Sequence, residues 1–126
     1  MSVEQRIYDL SLDAARDLRT FQYHVMAGSG EFGCDLAGAA DLDSVGLLQG
    51  KPGAAGRACE VRRVGISKAV CGGVIPVWSF VTPDADGHIV TAAVGEYHIG
   101  RAMQVGADNR VIAVLMEFGF VHEESS

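Results

Sequence analysis

No apolar stretch in this sequence is long enough to cross a bilayer, no cysteine pair follows a bridging pattern, and no stripe of basic residues occurs. Each lack removes a class of protein. The longest apolar run, Val111–Met116, falls far short of the roughly 20 residues that a membrane-spanning helix requires. The segment Met1-Ser2-Val3-Glu4-Gln5-Arg6 is charged where a secretory leader would be apolar, so the expectation is synthesis in a reducing cytoplasm with no membrane anchor. Cys34, Cys59 and Cys71 are odd in number and lack a C-x-x-C spacing, which excludes a disulfide framework; they are expected as small, reduced, buried residues. Ten Lys+Arg stand against 16 Asp+Glu, a net charge of −6, so the surface as a whole repels phosphate backbones. The tightest basic group, Arg57, Arg62, Arg63 and Lys68, is broken by Glu60 and by apolar residues. Neither nucleic acid nor membrane is an expected partner.

The side chains that catalysis would need are equally scattered. His24, His88, His98 and His122 lie in four separate segments with no paired spacing, so no metal centre is expected. There is no G-x-S-x-G elbow for a nucleophile, and Gly50-Lys51-Pro52 lacks the glycine spacing and the hydroxyl of a phosphate loop. Asp41 with Asp43, and Asp84 with Asp86, sit in loop-like stretches where aspartate caps turns. Lys68 falls in the middle of a strand pattern and reads as a solvated or interface lysine. The expectation is a protein that is not an enzyme, with no catalytic residue and no cofactor.

Glycine is abundant, at 16 residues against 3 prolines, without a collagen period. Such a chain of 126 residues is long enough for one core, and its glycines suggest many tight turns. Residues 1–20 are rich in charge and poor in glycine and form an arm or lead-in segment; helical and strand spacing both fit them. From Phe21 to Ala27 the apolar residues alternate, as in a strand. Gly28-Ser29-Gly30 then turns the chain towards a second alternating stretch, Phe32 to Leu36, which predicts a hairpin. Val45–Gln49 reads as a strand and Lys51–Gly56 as a loop. In Cys59–Val70 the apolar face changes parity across Arg62-Arg63, which predicts a β-bulge or a strand covered on both sides. Pro76 confines the run Val74–Val81 to a sheet edge or its margin. Asp86-Gly87 predicts a tight hairpin, and Tyr97–Val105 and Val111–Phe118 complete the pattern. The fold class expected is all-β, a small β-barrel or sandwich of seven to nine short antiparallel strands with an N-terminal arm. The β domain spans 21–119, and 120–126 form a frayed tail.

The order of these pieces resembles a known family. Asp17-Leu18 to Gln22-Tyr23, Gly38-Ala39-Ala40-Asp41, Gly46-Leu47-Leu48-Gln49-Gly50-Lys51-Pro52, Val64-Gly65-Ile66-Ser67-Lys68-Ala69-Val70 and Tyr97-His98-Ile99-Gly100-Arg101 follow one another as in the small capsid decoration, or cement, proteins of tailed bacteriophages. The likeness extends over roughly residues 8 to 117; the cysteine content and Trp78 depart from it. It implies a structural protein made in the bacterial host cytoplasm and carried on the outer surface of the virion. There it would bind the exterior of the assembled capsid and stabilise it by bridging major capsid protein subunits, commonly as a homotrimer. A capsid-binding arm would use Ile7, Tyr8, Leu10 and Leu12, which equally suit an edge strand or helix of the domain itself. Trp78 and Phe80 suit the core or an interface with another subunit or a ligand, with Arg62 and Arg63 as further interface candidates. The alternative is a carbohydrate- or host-surface-binding β module using Trp78, Tyr97 and the Asp-rich loops.

Overall fold

A computed structural model describes residues 5–49 and 55–121, with side chains from residue 9 onward. Nine strands follow in chain order: β1 Gln5–Ala14, β2 Val25–Gly28, β3 Gly33–Leu36, β4 Ser44–Leu48, β5 Ala58–Val70, β6 Phe80–Pro83, β7 Ile89–Thr91, β8 Tyr97–Ala102 and β9 Val111–Phe120. The sheet order is β1-β3-β2-β4-β5-β9-β8-β6-β7, and an extra β1–β5 pairing closes the first five strands into a barrel. The all-β barrel expected from the sequence is therefore present. One pairing departs from the antiparallel expectation: β1 runs parallel to β3, with Asp13 opposite Gly33 and Ala14 opposite Cys34, so the barrel is mixed. β1, β5 and β9 are also longer than short strands, at 10, 13 and 10 residues.

Two apolar layers explain why several strands read as continuous apolar runs. Met26, Leu48, Cys34, Cys59 and Val61 fill the barrel together with Ala14 and Leu18. Their neighbours Val25, Ala27 and Leu47 face the opposite way, into a second layer shared with Val81, Ile89, Ile99, Ile112 and Val114. Because side chains alternate along a strand, β2 and β4 bury both faces. Strand β2 starts at Val25 and not at Phe21, because Tyr23 adopts a left-handed φ of 65° that interrupts extended backbone. The β2–β3 hairpin forms as its glycines predict, with Ala27 opposite Asp35.

Strand β5 is shared between the two parts. Its first half pairs with β4, its second half with β9, and β1 lies along most of its length. Tyr8 faces Val64 while Asp9 faces Arg62, so Arg63 is passed over by β1 and the bulge expected at Arg62-Arg63 is present. The parity change has a different outcome from a simple inward turn. Gly65, Ser67 and Ala69 are buried, whereas Val64 stays 41% exposed and Ile66 and Val70 are half-covered. Gly46 lets β4 approach this bulge: a Cβ there would lie 2.2 Å from the Arg62 carbonyl oxygen.

The Asp86-Gly87 turn joins β6 to β7, with Gly87 at φ 76° and Pro83 opposite Ile89. Pro76 acts as expected: of Val74–Val81 only Phe80 and Val81 enter β6. At the C-terminal side β9 continues through Phe120, and Val121 exchanges two backbone hydrogen bonds with Gly95 and Glu96.

Candidate functional site

Two surface regions gather chemistry, at opposite ends of β8. The first is built by the segments on either side of an isolated bridge between Ile75 and Gly106, whose amides and carbonyls bond each other at 3.2 and 2.8 Å. The bridge sets the 74–78 and 103–107 segments side by side. Ile75 points into the core, and its neighbours are turned out: Val74 is 79% exposed, Trp78 51% and Val105 53%, with Val77 beside them. Trp78 donates its amide to the Ala102 carbonyl at 2.6 Å and holds a left-handed φ of 66°. For a bulky residue that conformation costs about 1–2 kcal/mol. A strained and half-exposed tryptophan beside three exposed valines is the pattern of a contact surface. The reading of Trp78 as core is thereby corrected: Pro76 keeps the segment out of the sheet, and the turn carries the ring outward.

Phe80 lies just inside this end. It is half-buried, stacked on His98 with ring centroids 4.1 Å apart and an interplanar angle of 28°, and the Arg101 guanidinium sits 4.3 Å from the Phe80 ring centroid. His98 is buried, and its Nδ1 lies 2.6 Å from the Glu117 carbonyl oxygen. A carbonyl only accepts, so Nδ1 carries the proton. These groups form a packed stack that supports the outer loops.

The second region is an open cleft of about 490 Å³ at the start of β8, whose lining includes Gly28, Gly30, Asp43, Ser44, Arg63 and Tyr97. The Gly28 amide bonds the Asp43 carbonyl at 3.0 Å, which ties the β2–β3 hairpin to the loop before β4. The bulge in β5 presents Arg63 here, with its guanidinium 4.2 Å from the Phe118 ring and Nη1 donating to the Val45 carbonyl at 3.3 Å. Tyr97 continues the aromatic row, 6.0 Å from Phe118 and 5.2 Å edge-on to Phe120.

The remaining candidates separate. Arg62, adjacent in sequence to Arg63, is buried and paired with Asp9 at 3.1 Å, so it belongs to the joint between β1 and β5 and not to a surface. Ile7 and Tyr8 lie in β1, but their side chains fall outside the described residues. Leu10 and Leu12 are half-buried and pack against the barrel interior, so each leaves only part of its side chain for contact with another molecule. Asp41 caps its own loop, accepting from the amides of Gly38 and Asp43, and Asp84 accepts from those of Asp86 and His88. Among the described residues no group of three or more His, Cys, Asp or Glu side chains converges to hold a metal ion. His122 lies outside the described residues, as do Gly50, Lys51 and Pro52.

Sequence reading named Trp78, Arg63 and Tyr97 but missed the valines around Trp78. Their signal was legible: apolar residues on both sides of a proline that bars them from a central strand. Asp43 was named as a turn aspartate and within the Asp-rich loops of the alternative reading, but its meeting with Arg63, like that of Ser44, depends on the bulge and on barrel closure.

No family model matches the sequence, and no curated protein matches it. Among solved structures the chain is similar to the N base of the head fibre gp8.5 of bacteriophage phi29, with a TM-score of 0.67 and 14% identity. The match covers 92% of this chain and 98% of that one. Nearly the whole of this chain therefore has the fold of that base.

Proposed function

We propose that the protein is a non-catalytic bacteriophage head protein that binds the exterior of the assembled capsid and stabilises it by bridging major capsid protein subunits. The observation that carries this reading is the likeness in fold to a phage head-fibre base over 92% of the chain. The ordered resemblance to capsid decoration proteins points the same way. The protein acts as a homotrimer, is made in the bacterial cytoplasm and resides on the outer surface of the virion. Attachment uses the end that carries Val74, Val77, Trp78 and Val105, where exposed apolar surface is available for burial. A ligand that binds only the assembled shell stabilises that shell by mass action, and repetition over many sites multiplies the effect.

The test is incubation of the purified protein with undecorated expanded heads. Saturable binding and a higher disruption temperature of the heads are expected. Trp78→Gly suits the φ of 66° at this position, so it should keep the fold while weakening attachment at least about tenfold. Absence of binding to any phage head refutes the proposal, and undiminished binding by Trp78→Gly refutes the assignment of the face.

A further inference from the structure

The cleft at the start of β8 has an unusual charge arrangement. Arg63 and Asp43 both line it, yet they form no ion pair with each other, and among the described residues neither is paired with any other charged group. Arg63 uses Nη1 on the Val45 carbonyl and its ring-facing surface on Phe118, which leaves Nε and Nη2 as donors. The Asp43 amide donates to Asp41, while its carboxylate oxygens remain acceptors without a partner among the described residues. Ser44 is buried, and its hydroxyl donates to the Asp41 carbonyl, which fixes the loop that carries Asp43. Tyr97, in its row with Phe118 and Phe120, supplies an apolar shelf with a hydroxyl at its edge.

We infer that this cleft binds a neutral saccharide. One positive and one negative group in the same cleft favour neither a phosphate nor a polycation. A hydroxyl group answers both at once, because it donates to the Asp43 carboxylate and accepts from the Arg63 guanidinium. Neighbouring hydroxyls on a pyranose ring can engage Arg63 and Asp43 together, while the apolar face of the ring lies on an aromatic shelf. A volume of about 490 Å³ is within the range of small-molecule sites. The space beside Gly28 and Gly30 on the rim is open, since a Cβ at either would meet nothing within 4 Å.

The cleft is independent of the proposed attachment face. Tyr97 opens β8 and Trp78 is bonded to Ala102 at its other end, so about 17 Å of strand separates the two regions. Capsid binding and saccharide binding therefore stand or fall separately.

The experiment is an amide chemical-shift titration of the purified full chain with three neutral disaccharides, lactose, maltose and diacetylchitobiose, at millimolar concentration. Glucuronic acid and a short peptide with a free C-terminal carboxylate serve as the charged probes. At least one neutral sugar should shift the amides of Gly28, Gly30, Ser44, Arg63 and Tyr97, with the rest of the spectrum unmoved. Asp43→Ala and Tyr97→Ala should each weaken binding at least about tenfold while leaving the other amide positions unchanged. Asp43 is exposed, so its replacement tests the site even where Tyr97→Ala perturbs packing. No response to any neutral sugar overturns the inference. So does a response to the carboxylate probes alone, or binding that survives Asp43→Ala undiminished.

Discussion

Asp9 and Arg62 form a buried ion pair that fastens β1 to β5 beside the bulge. Arg62 Nε donates to Asp9 Oδ1 at 3.1 Å, with the two side chains 9% and 6% exposed, and Arg62 Nη1 also donates to the Ile66 carbonyl. Both charges have left water, so each depends on the other. Arg62→Ala should destabilise the protein by about 3–5 kcal/mol, because it strands the carboxylate in the interior. The double variant Asp9→Leu, Arg62→Met should be far less damaged than the sum of the two single changes. Urea denaturation of the three variants measures this, and simple additivity would contradict it.

Removal of residues 1–14 should abolish cooperative unfolding. Strand β1 pairs with both β3 and β5, and Ala14 and Leu18 are buried in the barrel. Without β1 the barrel loses a wall, and β3 and β5 each lose one partner along an edge. Leu18→Ala, a milder test of the same core, should cost about 2–5 kcal/mol. A truncated chain that keeps dispersed amide resonances and a sharp thermal transition would show that β1 is dispensable.

Acid should weaken the fold through His24. This ring lies 4.7 Å from that of His88 and 5.3 Å from that of Phe21, and burial holds its pKa below the ordinary 6.5, with the nearby His88 acting in the same direction. The folded protein therefore keeps His24 neutral while the unfolded chain takes up a proton below about pH 6.5. Stability from this group is complete above that pH and is lost as the pH falls through the lowered folded value. Thermal melts over this range should show the decline, and His24→Gln should make it shallower.

The barrel thiols should be inert in the native state. Cys34 and Cys59 meet across the interior with their sulfurs 3.3 Å apart, and Cys59 also donates to the Leu12 carbonyl at 3.2 Å. Burial pushes the Cys34 thiol up to about 12 and raises that of Cys59 too. Thiolate is the reactive form, so a thiol reagent at neutral pH should label them slowly in buffer and rapidly in denaturant. Unfolded thiols ionise near pH 9.0, so stability should be full below that pH and decline towards pH 12. Rapid labelling of all three cysteines without denaturant would be inconsistent with this core.

Much of the barrel was legible because alternation and turn chemistry are local. Gly28-Ser29-Gly30 and Asp86-Gly87 mark their hairpins from neighbouring residues alone, and the parity change at Arg62-Arg63 announced a bulge. What escaped notice depends on distant partners. The charged residues of the first segment suit an arm as well as a strand, and only the pairing of Asp9 with Arg62 gives one of those charges an interior place. Trp78 stayed open between core and interface for a related reason: residue type favours burial, whereas Pro76 and the bond from Trp78 to Ala102 decide where the ring goes.

Closure of the barrel by β1 also governs when the chain can fold. Gln5 meets Ile66 and Asp13 meets Ala58, so the first strand waits for partners that are made long after it. On a ribosome adding about 5–20 residues per second, that wait lasts seconds. Topologies dominated by such remote pairings fold on a scale of about milliseconds to seconds. The N-terminal segment therefore emerges as an unpaired strand, open to the wrong neighbour, and the protein gains its finished shape only after most of it has been synthesised.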